Sequence, residues 1–75
     1  MDAPFVLHLR RGLNFERAGR YSEAATAYRE AVAADPGALE ARLRLGVVLR
    51  ELGLDDEANG MFLSALDAAR DPGPA

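Results

Sequence analysis

The chain offers few groups able to act on a covalent bond. His8 is its single histidine. A general base or a metal site needs convergent partners, and none stands near His8 in sequence, so it reads as a packing residue in the core or at its rim. Asp55 and Asp56 are adjacent carboxylates, but they open a helical segment, where negative charge interacts favourably with the helix dipole. Ser22 and Ser64 have no histidine partner for a nucleophilic arrangement. The glycines follow no strand, and there is no lysine to reach a phosphate. With no cysteine, disulfide, thiolate–metal and cysteine-nucleophile chemistry all fall away. The expectation is a protein that is not an enzyme and carries no cofactor or metal.

The charged residues point instead to surfaces. The formal net charge of −3 argues against a nucleic-acid partner, which wants a basic stripe. All nine basic residues are arginine, a side chain suited to bidentate pairing with carboxylates; the plainer explanation is codon bias in a GC-rich genome. The first residues, Met1-Asp2-Ala3-Pro4, are acidic and no long apolar run follows. A signal peptide and a membrane span are therefore not expected, and the expected setting is cytoplasmic.

These residues must be positioned by helices. The 75 residues make one domain at most, with 49% apolar and 28% charged side chains. Slid against itself by 34 residues, the sequence falls into register: Leu9 meets Leu43, Arg10 meets Arg44, Gly12 meets Gly46, Gly19 meets Gly53, Glu23 meets Glu57, Ala24 meets Ala58 and Ala31 meets Ala65. Between them come Leu13 with Val47, Phe15 with Leu49, Tyr28 with Phe62 and Val32 with Leu66. Spacings of three and four residues trace one face of a helix in each segment.

Punctuation then divides each unit in two. Asp2 can cap a first helix with Pro4 in its first turn, running to about Ala18 and stopping at Gly19. A second helix spans about Ser22 to Ala34 and ends at Asp35-Pro36-Gly37. A third spans about Ala38 to Leu52 and stops at Gly53. A fourth runs from about Asp55 to Arg70, and Asp71-Pro72-Gly73-Pro74-Ala75 cannot continue it. No segment alternates with period two. The expected fold is all-α: two tandem helix–turn–helix units, about residues 5–38 and 39–72, giving four antiparallel helices in a short α-solenoid, with a tail at 73–75.

The 34-residue period and its residues resemble the tetratricopeptide repeat. Gly12 and Gly46 resemble the small residue where the two helices of a unit meet. Phe15 and Leu49 look like the large apolar residue that follows. Ala24 and Ala58 look like the alanine at the closest crossing, Tyr28 and Phe62 the aromatic of the second helix, and Ala31 and Ala65 the next small residue. Gly19-Arg20-Tyr21-Ser22-Glu23-Ala24 is similar to the inter-helix turn, and Asp35-Pro36 to the terminal turn. The sequence departs from the family where His8 and Arg42 stand in place of a frequent tryptophan, and where Leu54-Asp55 replaces Arg20-Tyr21. It also has only two units, whereas arrays usually need three or more.

The resemblance implies a protein-binding module in which the first helix of each unit lines a concave groove. That groove would present Val6, Leu9, Arg10, Leu13, Glu16 and Arg17, then Glu40, Leu43, Arg44, Val47, Arg50 and Glu51. Leu9, Leu13, Leu43 and Val47 would form an apolar stripe beside Arg10 and Arg44; the competing reading is that these leucines pack between helices. The family's clamp for C-terminal carboxylates uses lysine and asparagine that this sequence lacks. The partner is thus another protein or a second copy of the chain. Met61, Phe62, Ala65, Leu66 and Ala69 make the fourth helix apolar over a wide arc, which predicts a homo-oligomer, a dimer first of all. A piece of a longer array is the remaining alternative.

Overall fold

The computed structural model of the chain describes residues 4–70, with side chains through Asp67. The expected cap at Asp2 and the tail at 71–75 lie outside the described residues. Four helices follow one another: α1 (Pro4–Arg17), α2 (Tyr21–Ala34), α3 (Leu39–Glu51) and α4 (Asp55–Arg70). No strand occurs among the described residues. The chain is an all-α helical repeat, as the period requires.

Each unit turns on a glycine. Gly19 and Gly53 hold φ of 79° and 82°, where a β-carbon would be strained. The hydrogen bonds at the two turns match. The Arg20 amide donates to the Phe15 carbonyl at 2.8 Å and the Gly19 amide to Glu16 at 2.9 Å; Leu54 donates to Leu49 and Gly53 to Arg50, both at 2.9 Å. This pattern satisfies carbonyls that the helix end leaves open. Between the units, the Asp35 side chain accepts from the Gly37 amide at 3.1 Å, an aspartate-stabilised turn, and Pro36 cannot extend α2. The third helix is shorter than expected by one residue at each end, because Ala38 is extended (φ −79°, ψ 110°) and Leu52 serves as the C-cap.

The helices pack in sequence, α1 on α2, α2 on α3, α3 on α4. Ala24, Ala25, Tyr28, Leu45, Val48, Leu49 and Ala58 form the core. Burial of side chains the size of Val48 and Leu49 stabilises by about 1.5–3 kcal/mol each. The glycines Gly12 and Gly46 sit where the aromatic rings of the second helices arrive. A β-carbon on Gly12 would run into the Tyr28 ring, and one on Gly46 would lie 2.6 Å from Phe62 Cε1. The repeat register of the sequence is thus a register of contacts: one glycine–aromatic crossing per unit.

Candidate interaction surfaces

Helices α1 and α3 form one layer of the molecule. Glu16 on α1 links this layer to α2 by a hydrogen bond and to α3 by an ion pair. The Tyr28 hydroxyl donates to Glu16 Oε1 at 2.6 Å, and Glu16 Oε1 lies 3.9 Å from Arg44 Nη1. Arg44 Nε donates to Glu40 Oε2 at 3.2 Å, one turn earlier on α3. Burial, followed by the hydrogen bond and charge of Glu16, pushes the Tyr28 phenol far above its ordinary range. The hydrogen bond it donates to Glu40, ahead of an opposing desolvation effect, holds the Arg44 guanidinium more firmly charged.

The matching positions in the second unit solve the same packing problem differently. Thirty-four residues on from Glu16 and Tyr28 stand Arg50 and Phe62. The Phe62 ring has no hydroxyl to satisfy, and the Arg50 guanidinium carbon lies 5.6 Å from its centroid, within cation–π range. Acid with phenol in one unit becomes arginine with phenyl in the next. The sequence carried this signal in its paired differences at positions 16/50 and 28/62, but the register comparison above used only the matches.

Around these links the expected groove residues take two kinds of place. Val6 and Leu43 are exposed, at 44% and 45%, as are Arg10, Arg17 and Arg50. Leu9, Leu13, Val47 and Arg44 are half-buried, and Leu9 and Leu13 also pack against the core. The stripe is therefore shared between helix packing and surface.

His8 lies at the outer end of the first unit. Its Nδ1 is 3.3 Å from Glu30 Oε1, without the alignment of a hydrogen bond. Together they border a hollow of about 310 Å³ that Arg11, Phe15, Glu23, Thr26 and Ala27 complete. Asp55 and Asp56 are exposed in the first turn of α4. Among the described residues no group of three or more His, Asp or Glu side chains could hold a metal ion, and no helix is long and apolar enough to cross a membrane.

The second unit carries an apolar cleft. Leu39, Leu43, Phe62, Ala65 and Leu66 line a cleft of about 350 Å³ between α3 and α4. Of the residues expected to form an oligomer interface, Leu66 is 61% exposed, Met61 and Phe62 are half-buried against the core, and Ala65 is buried inside the chain. The side chain of Ala69 lies outside the described residues. Leu63, at 65% the most exposed of the large apolar side chains described, was not among those expected. It occupies the repeat position of Arg29, and that exchange of arginine for leucine was its sequence signal.

The family model for the tetratricopeptide repeat matches residues 9–74. The chain belongs to the tetratricopeptide-repeat family. Comparison with curated proteins and with solved structures gives no significant match. Tetratricopeptide repeats are in general protein–protein interaction modules, and the four helices are two such repeats.

Proposed function

We propose that this tetratricopeptide-repeat chain seats an amphipathic, acidic segment of a partner protein along the layer formed by α1 and α3. The observation that carries the reading is a shallow apolar strip, Leu9, Leu13, Leu43 and Val47, flanked by the exposed guanidinium groups of Arg10, Arg17 and Arg50. Apolar anchors supply affinity in helix-in-groove recognition, and arginines select carboxylates through charge-assisted hydrogen bonds. Glu40 holds Arg44 in an exposed pair, of a kind that contributes about 0–1 kcal/mol, and the half-buried Glu16 lies 3.9 Å from it. A well-placed ligand carboxylate displaces them.

The test uses helical peptides with leucine anchors on one face and either glutamate or lysine on the flank. The glutamate series should bind more tightly, with an affinity that falls as salt rises. Replacing Arg10 and Arg44 together by alanine should weaken it and flatten the salt dependence. Equal binding of both series, or binding indifferent to the double substitution, refutes the reading.

Self-association is a second mode, favoured by one observation: Leu63 and Leu66 stand exposed on α4, on the side facing away from the core. Both modes can operate in the same molecule, because the α1–α3 strip and the outer face of α4 use different residues.

A further inference from the structure

Resting on the partner-binding reading above, we propose that the second unit seats an acidic amphipathic helix of a partner protein in its α3–α4 cleft, as the first unit seats α3. Helix α3 has two opposite faces. Leu39, Leu43, Gly46 and Arg50 share one by their spacing, and Ala41, Leu45 and Val48 share the other. The first unit holds the second of these faces. None of its three side chains is more than 2% exposed. Leu45 and Val48 share a core with Tyr28, and Leu9 and Val32 pack against that core.

The second unit presents the same kind of seat. The positions of Leu9, Tyr28 and Val32 are taken by Leu43, Phe62 and Leu66, which with Leu39 and Ala65 line the cleft of about 350 Å³. Charge decides which helix fits. In the first unit the seated helix brings Arg44 to within 3.9 Å of Glu16. The position of Glu16 is taken in the second unit by Arg50. Its guanidinium is exposed, lies over the Phe62 ring, and has no carboxylate within ion-pair distance among the described residues. A helix seated as α3 is seated meets a cation there, so its complement at the position of Arg44 is an acid. The pattern is a small apolar residue, an acid three positions on, then larger apolar residues at the positions of Leu45 and Val48.

A second copy of the chain does not carry that pattern. The matching face of its α3 is already buried. On its α1 the positions of Ala41, Arg44, Leu45 and Val48 are Leu7, Arg10, Arg11 and Asn14. Arg10 would then face Arg50, and Arg11 would enter a cleft lined by apolar side chains, where an unpaired charge is costly. The match is to a helix of a different protein. Leu43 and Arg50 belong to the α1–α3 strip as well, so the two seats must be separated by experiment.

Helix α3 itself supplies the probe. A labelled peptide of residues 38–52 is made unchanged and with Arg44→Glu, and its binding to the full chain is measured by fluorescence anisotropy. The Arg44→Glu peptide should bind about three- to tenfold more tightly, the scale of one exposed ion pair set against a repulsion. In a chain carrying Arg50→Glu the preference should reverse. Arg50 is exposed, so that chain should keep the parent's helical circular dichroism, and a ratio between two peptides is insensitive to a general loss of stability. In a chain carrying Arg10→Ala and Arg44→Ala the preference should stay as in the parent. A preference lost in that chain and unmoved by Arg50→Glu leaves the α1–α3 reading standing and overturns the α3–α4 seat. Equal or absent binding of the two peptides also overturns the seat, and the glutamate and lysine series above then decide the α1–α3 reading separately. A parent chain that doubles its mass of 8.1 kDa on concentration, and that the peptide does not return to that mass, puts a second copy in the cleft and overturns the partner helix.

Discussion

Alanine in place of Gly12 and of Gly46 tests the two aromatic crossings against each other, although the sequence treats these positions as equivalent. In either helix the exchange gains about 1 kcal/mol of helix propensity. Against that stands overpacking, which costs about 1–3 kcal/mol in a filled core. The structure decides where in that range each site falls. The Tyr28 ring is fully buried, and its hydroxyl is tied to Glu16 at 2.6 Å, so it cannot retreat from a β-carbon on Gly12. The Phe62 ring beside Gly46 has no such tie. It borders the open cleft of about 350 Å³ and can shift towards it. Gly12→Ala should therefore lose about 2 kcal/mol net, and Gly46→Ala between about 0 and 1 kcal/mol. For a domain of this size, 1 kcal/mol is worth about 4–8 °C in Tm, so Gly12→Ala should melt about 8–16 °C below the parent and Gly46→Ala within about 8 °C of it. The assay is thermal unfolding by far-ultraviolet circular dichroism at one fixed protein concentration, because association shifts Tm. Gly12→Ala melting with or above the parent, or Gly46→Ala losing more than Gly12→Ala, refutes the argument from ring mobility. Gly46→Leu, which exceeds what a ring shift can absorb, should be strongly destabilising.

Gly60→Ala should raise Tm in the same assay, because it meets open space within a helix and gains about 0.5–1 kcal/mol. Gly53→Ala should cost about 1 kcal/mol in the same assay, because φ is 82° there. Tyr28→Phe should lose about 1 kcal/mol with its bond to Glu16. The Tyr28 phenol is raised above its ordinary value of 10.0 in the folded chain, so the folded state keeps a proton that the unfolded state releases. That contribution is complete below pH 10 and is lost as pH climbs beyond it; the urea midpoint of the parent should fall across that range more steeply than that of Tyr28→Phe.

The fold was legible because the tetratricopeptide repeat writes its contacts at a fixed spacing. Gly12 with Gly46, Ala24 with Ala58 and Tyr28 with Phe62 recur because the same crossing is built twice, and Gly19 and Gly53 recur because only a left-handed residue closes that turn without strain. Interaction surfaces obey no such rule. The link from Glu16 to Tyr28 joins residues on different helices whose positions relate only once the helices are packed. Leu63 escaped because the arc through Met61, Phe62 and Ala65 is apolar too, and the sequence does not say which side of a wide apolar arc faces α3. The structure rotates the open side towards Leu63 and turns Ala65 inward.

Two ion pairs among the described residues join the units, in different layers. Arg29 and Glu57 meet at 2.7 Å between α2 and α4, and Glu16 and Arg44 at 3.9 Å between α1 and α3. Only the short link 35–38 joins the units covalently, so the bend between them is braced by these struts and the α2–α3 seam. Ion pairs open to water contribute little each, so the α2–α3 seam, with Ala25, Leu45 and Val48 in the core, sets the angle between the units. A ligand carboxylate that took Arg44 from Glu16 would leave that seam in place.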